Sequence, residues 1–223
     1  DDVLALADTG GLAARRREAE ARGKILGFGF ANAIEPAAGP GVEYAEVRFN
    51  VSGTATVLMG TKSQGQGHVT MYKQLMNERL GMDFADIRIL DGDTDKVGFG
   101  QGTAGSRSAV MGGSSLHLAL DKIIEKTTKI AAHMLEAAIS DVVFEDGRFA
   151  IAGTDRSVAF MDVAKSAYQP AKLPPDLEPG LYESGTFRAT HQTFPNGAHA
   201  CEMELDPETG KVDLTAYCVV DDV

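Results

Sequence analysis

Two glycine-rich loops, Gly60-Thr-Lys-Ser-Gln-Gly-Gln-Gly-His68 and Gly98-Phe-Gly-Gln-Gly-Thr-Ala-Gly-Ser-Arg-Ser108, lie close together in the 223-residue chain, and each opens into a pattern that reads as a helix. A helix start exposes main-chain N–H groups without partners and the positive end of the helix dipole. Glycines at such a start let an anion come close to the main chain. Around them stand Gln64, Gln66, Thr103, Ser106, Arg107 and Ser108, neutral hydrogen-bonding side chains with one fixed cation, a set suited to a pyrophosphate-containing cofactor. Either loop alone reads equally well as a tight turn, because glycine is the usual turn residue. Two together point to one large anion shared between them.

Other patterns carry less. Gly100-x-Gly102-x-x-Gly105 is formally the dinucleotide fingerprint, but there the glycines directly follow a strand and an acidic residue about 20 positions on grips a ribose. Here the strand ends at Leu90, well before Gly98, and Glu125 falls inside a helix. A nicotinamide-nucleotide module is therefore the alternative, beside a non-catalytic scaffold. Asp91, Asp93 and Asp95 resemble the start of a calcium loop without its glycine and closing glutamate, so Asx turns account for them. His117 and His133 have no third ligand at metal spacing, and Cys201 and Cys218 read as reduced, half-buried strand residues. His191 and His199 have nothing local that makes them catalytic. No Ser–His–Asp set or paired carboxylate is visible, so the residues assign no catalytic group and no metal ligand.

Working outward, Val3 to Ala19 describe an amphipathic helix interrupted at Gly10-Gly11 and stopped at Gly23. Lys24–Ile34 reads as a buried strand, and Glu43–Asn50 with Thr54–Met59 as a hairpin that delivers the chain to the first loop. Val69–Leu80 is a helix ending at Gly81, Ile87–Leu90 a short strand, and 106 to about 140 one long helix. Asp141–Phe144 and Arg148–Ile151 form a hairpin around Asp146-Gly147, Ser157 caps a short helix through Tyr168, and Leu181–Thr190, Ala198–Leu205 and Val212–Val220 alternate as strands. Helices and hairpins without a regular βαβ cadence make the class α+β, with two lobes expected at 1–168 and 169–223, the second opening on a proline-rich connector. The 43% hydrophobic content is ordinary, and a net charge of −11 without a basic stripe excludes nucleic acid. No apolar run is long enough to span a bilayer and no signal peptide opens the chain, so a cytoplasmic protein is expected. The first residue is Asp and the last, Tyr217-Cys-Val-Val-Asp-Asp-Val223, stop without a cap or tail, so a piece of a longer chain is expected.

The run Ser63-Gln-Gly-Gln-Gly-His68, then Asp91-Gly-Asp-Thr-Asp95, then Gly102-Thr-Ala-Gly-Ser-Arg-Ser108, resembles the molybdopterin-binding large subunit of the xanthine dehydrogenase and aldehyde oxidase family, near its carbon-monoxide-dehydrogenase-like bacterial members. Asn196-Gly-Ala-His-Ala-Cys201 and Val219-Val-Asp-Asp-Val223 extend the resemblance over nearly the whole chain. The resemblance implies a molybdenum-cofactor-binding domain. It implies that Gln64, Gly65, Gln66 and Gly67 contact the pterin, its phosphate or the metal's oxygen ligand, and that Thr103, Gly105, Ser106, Arg107 and Ser108 bind the pyrophosphate. It also implies the cytosine dinucleotide form of the cofactor, and iron–sulfur clusters and FAD on a small and a medium partner subunit. Oxidative hydroxylation of a small molecule (an aldehyde, an N-heterocycle or carbon monoxide) follows, with the catalytic glutamate and substrate loop outside this chain and the piece inactive alone.

Overall fold

The computed structural model describes residues 1–222. By their mutual contacts these fall into two compact units, Asp1–Ala37 with Thr193 onward, and Ala38–Gln192. The boundary expected near residue 168 is corrected by strand pairing. The strand Tyr182–Ala189 bonds to Gly41–Phe49, which ties it to the glycine-loop unit, while Ile25–Ile34 pairs with Asn196–Leu205.

In the first unit, helices α1 (Asp2–Leu6) and α2 (Leu12–Ala21) precede strand β1 (Ile25–Ile34). The expected break at Gly10-Gly11 is a short 3-10 turn over Thr9–Gly11. Strands β9 (Asn196–Leu205) and β10 (Val212–Asp222) complete an antiparallel sheet in the order β1-β9-β10. The helices cover one face of it. Arg15 meets buried Glu202 there at 2.8 Å, and Val3, Ala19 and Leu26 are buried. On the other face the register aligns Ile25, Leu205 and Val212, then Met203 with Leu214, then Cys201 with Tyr217 and His199 with Val219. Ile25, Leu214 and Tyr217 on that face are each more than half exposed, and along β1, expected to be buried, only Leu26 is. Cys201 and Cys218 are free and half-buried, as their strand positions predict.

The second unit holds the core. Strands β2 (Gly41–Phe49) and β3 (Ala55–Met59) form the expected hairpin. Helix α3 (His68–Leu80) follows, ending at left-handed Gly81, and β4 (Ile87–Asp91) returns parallel to β3. With β8 (Tyr182–Ala189) the sheet order is β4-β3-β2-β8. The first glycine loop thus springs from the C-terminal end of β3 in a strand–helix–strand crossover, where open sheets commonly bind ligands. The long helix is shorter than expected: a π-helical turn over Ser108–Gly112 leads into α4 (Gly113–Met134). It stops where Glu136 turns left-handed at φ 49° and the Leu135 carbonyl accepts from Arg156. Leu116, Leu120, Ile123, Thr127 and Ile130 recur along α4 at helical spacing and are all fully buried.

Strands β5 (Val142–Glu145), β6 (Arg148–Ile151) and β7 (Ser157–Ala159) form a small second sheet, with Asp146 and Gly147 at φ 47° and 70° in the turn their dipeptide predicts. Ser157 begins β7 rather than capping a helix, since its hydroxyl takes a bond from Arg148 and its main chain pairs with β6. Helix α5 accordingly starts at Phe160 and runs to Ser166. Phe149 is fully buried against Phe144 and Phe160, with ring centroids 4.5 and 6.3 Å away. Each side chain of this size, fully buried, contributes roughly 1.5–3 kcal/mol.

Tyr72 joins α3 to both loops. Its hydroxyl lies 2.6 Å from Thr61 Oγ1 and donates to the Ser108 carbonyl at 3.1 Å, and its side chain has no exposure. Gly112 lies beneath that hydroxyl, which occupies the place a Cβ would take. The π-turn therefore has room where an ordinary side chain would not fit.

Burial pushes the Tyr72 phenol from 10.0 up to about 12. The stability this contributes is complete below the ordinary value and is lost as pH rises through the raised one. Ultraviolet titration should show a tyrosinate forming near pH 12 that is absent in Tyr72→Phe; an unchanged titration would remove the assignment. Phe149→Ala should destabilise the chain by about 3–5 kcal/mol in chemical denaturation.

Candidate cofactor-binding site

The two glycine loops meet at their bases. Gly60, at the end of β3, bonds through its N–H to the Tyr44 carbonyl, and its own carbonyl accepts from Gly102 N at 3.1 Å. A Cβ built on Gly60 would lie 2.8 Å from the Phe99 carbonyl and 2.9 Å from the Gly100 Cα, and one on Gly100 would strike the Gly60 main chain. Only glycine at both positions permits this approach. One step further out, Lys62 N donates to Thr103 Oγ1 at 3.0 Å and Thr103 Oγ1 donates to the Lys62 carbonyl at 2.7 Å. That engages the one Thr103 proton, so the 2.8 Å contact with Ser108 Oγ is a bond donated by Ser108.

Beneath this junction lies Glu43. Glu43, Ala45, Val47 and Phe49 all point inward by the two-residue period of β2, and Glu43 is fully buried. Its Oε1 accepts from Tyr44 N at 3.0 Å and its Oε2 from Arg107 Nη1 at 2.5 Å. Arg107 Nη1 also donates to the Gly102 carbonyl at 2.8 Å, and Nη2 to the Val42 carbonyl at 3.1 Å and Gln101 Oε1 at 3.2 Å. Asp91, at the end of β4, accepts from Ser63 N at 2.8 Å and fastens the outer part of the first loop.

The side chains of Thr103, Arg107 and Ser108, expected to face a pyrophosphate, are thus engaged with protein. What remains open is main chain. Gly65, Gln66, Gly67 and His68 in the first loop, and Ala104, Gly105, Ser106, Arg107 and Ser108 in the second, have N–H groups with no acceptor among the described residues. In the first loop Gly65 and Gly67 are left-handed at φ 101° and 85°, and Gln66 turns its carbonyl oxygen back onto Gln64 N at 2.5 Å. In the second loop Gly105 and Ser106 are left-handed at φ 55° and 53°, followed by right-handed Arg107. Such changes of hand make successive N–H groups converge into an anion-binding concavity. A serine at positive φ stores strain of order 1–3 kcal/mol, characteristic of functional loops.

These residues fit an anionic cofactor. The open amides are exposed except at His68 and around Arg107–Ser108, the loop glycines add no bulk, and Glu43 and Asp91 are already engaged. His68 adds an orphan: it is 5% exposed and its Nδ1 is buried without a partner among the described residues. Sequence reasoning missed Glu43, Thr61, Tyr72 and Asp91 as parts of the site. Glu43 left a signal, a charge at an inward position of an alternating strand.

Asp95 N bonds to Asp93 Oδ1 at 3.1 Å in an Asx turn, and no cluster of three His, Cys, Asp or Glu capable of holding a metal occurs among the described residues. The 100–105 glycines do not follow a strand directly, since β4 ends at Asp91. A groove of about 720 Å³, lined by Met71, Leu75, Val110 and His117, runs between α3 and the start of α4 rather than over the glycine loops. Among the described residues no helix is long and apolar enough to cross a membrane.

Residues 3–223 match the family described as molybdopterin cofactor-binding domain. The chain is 38% identical over 179 residues to the carbon monoxide dehydrogenase large chain of Afipia carboxidovorans, covering 80% of this chain and 22% of that one. It is 36% identical to the nicotine 6-hydroxylase large subunit of Paenarthrobacter nicotinovorans, covering 93% of this chain and 27% of that one. The carbon monoxide dehydrogenase structure from Oligotropha carboxidovorans superposes with a TM-score of 0.87 at 34% identity, over 99% of this chain and 30% of that one. The chain spans less than a third of these relatives, whose names make them parts of multi-subunit enzymes. It belongs to the molybdopterin cofactor-binding domain family, within the xanthine dehydrogenase and aldehyde oxidase group of molybdenum hydroxylase large subunits.

Proposed function

We propose that this chain holds the molybdopterin cofactor, in its cytosine dinucleotide form, for a cytoplasmic molybdenum hydroxylase. The observation that carries the proposal is the set of open main-chain amides at 65–68 and 104–108, on two loops already bonded to each other. The Gly105–Ser108 amides bind the pyrophosphate, with the Ser106 hydroxyl beside them. The Gly65–His68 amides, the free end of Gln66 and the side chain of Gln64 face the pterin or its phosphate. Thr103, Ser108 and Arg107 act from behind by fixing the loops.

When bound, the group supplies the redox chemistry by which a small molecule is oxidised. This chain binds and orients it. Two relatives that share the segment are named for carbon monoxide and for nicotine, which supports placing substrate choice and the catalytic base outside these residues. The names "large chain" and "large subunit" support partner subunits, for which we propose the iron–sulfur and FAD carriers of the electron path.

The full-length subunit, purified from its host, should contain molybdenum and release a cytidine nucleotide on acid hydrolysis. Molybdenum without cytidine would overturn the dinucleotide form. Gly100→Ala, which drives a Cβ into the Gly60 main chain, should lower molybdenum content at least about tenfold with circular dichroism unchanged. Full occupancy in that variant would remove the loops from the site. The isolated 223-residue chain should oxidise no aldehyde, purine or carbon monoxide, and detectable turnover would contradict the placement of the catalytic base elsewhere.

A further inference from the structure

We infer that Arg107 and Glu43 are a positioning pair: Arg107 does not grip the cofactor anion with its guanidinium but uses it to draw the second glycine loop onto β2, and buried Glu43 holds the guanidinium in place. The inference rests on the cofactor reading above and changes what its one fixed cation does.

Donor arithmetic makes the case. A guanidinium has five N–H groups in a fixed fork. Four meet protein acceptors: Nη1 reaches Glu43 Oε2 and the Gly102 carbonyl, and Nη2 reaches the Val42 carbonyl and Gln101 Oε1. Only Nε remains. The side chain of Arg107 is 11% exposed and that of Glu43 is not exposed at all, so the charge is largely sealed from solvent and already neutralised. A pyrophosphate would have to compete with a carboxylate 2.5 Å away that has no water to turn to.

The acceptors also show what the fork is for. Gln101 and Gly102 belong to the descending limb of the second loop, and Val42 and Glu43 to β2. Arg107 stands at the far end of the same loop, so its side chain closes the loop across its base. The residues enclosed are those that turn left-handed at Gly105 and Ser106 and present open amides. Glu43 cannot be replaced by its amide without conflict. Both of its oxygens accept, from Tyr44 N and from Arg107, so an NH2 in either place would face a donor.

The test uses the full-length subunit with Arg107→Met, Arg107→Lys, Glu43→Gln and the double variant Glu43→Met with Arg107→Met. Two readouts are taken: hydrogen exchange of peptides covering 101–108 in cofactor-free protein, and molybdenum content of the loaded protein. Arg107→Met and Glu43→Gln should each speed exchange of the loop and lower molybdenum content by similar factors, at least about tenfold. Arg107→Lys keeps a charge for Glu43 but loses the fork, and should fold normally with intermediate exchange and content. The double variant removes both buried charges, so its melting temperature should return towards wild type while the loop stays fast-exchanging and molybdenum low.

Loss of molybdenum in Arg107→Met with Glu43→Gln fully loaded and the loop protected would make Arg107 a direct ligand and overturn the proposal. Recovery of molybdenum in the double variant would reduce the pair to stability alone and also overturn it. A wild-type subunit without molybdenum or pterin nucleotide would instead defeat the cofactor reading, and the exchange readout would still decide the strut.

Discussion

A carboxylate without access to water sits where three pieces of chain converge. Glu43 reaches from β2 to Arg107 of the second loop while one of its oxygens lies against the Cα of Gly60, the residue that starts the first. Burying a charge is tolerable only when partners meet it, and here a main-chain N–H and a forked guanidinium do so. Once that pair forms, each loop has few ways to move without breaking contact with the other. Neighbouring bonds, from Lys62 to Thr103 and from Tyr72 to Thr61 and Ser108, are consistent with that one placement.

The core beneath explains why the loops can be held so firmly. Helix α3 carries Tyr72 and Met76 into the interior, and α4 lays its apolar stripe across β2 and β8. At Gly185 the sheet approaches α4 so closely that a Cβ would meet its main chain, about 2.6 Å from the Ala119 nitrogen. The two loop-bearing helices therefore start from a packed foundation. The π-turn at the head of α4 departs from regular helical geometry, and it lies where the Tyr72 hydroxyl donates to the Ser108 carbonyl.

Much of this was legible in the sequence. The β2–β3 hairpin, α3 with its stop at Gly81 and the Asp146-Gly147 turn all follow from local periodicity and turn chemistry. The glycine loops were visible as candidates for one anion because glycine-rich helix starts have few other uses when paired. Local pattern could not reveal which side chains of those loops face inward. Arg107 and Thr103 look like ligands in one dimension, and only the fold shows that their hydrogen bonds are already taken, Arg107 by β2 beneath it and Thr103 by Lys62 of the first loop. The lobe boundary failed for the same reason: β8 alternates like any edge strand, and nothing near it in sequence says that its partner lies far upstream at β2. The exposure of β1 was hidden because an apolar, glycine-spaced run is the same whether one face or both are covered.

The bare backbone contact between Gly60 and Gly100 reaches beyond its own neighbourhood. Loops of this length are ordinarily restless, and a ligand that quiets them loses affinity in doing so. Here the quieting is done during folding, by two residues with nothing to put between them. A visitor arriving at the amides meets a mould already cast, and a sequence change at either glycine would be felt as a warp in both halves of that mould at once.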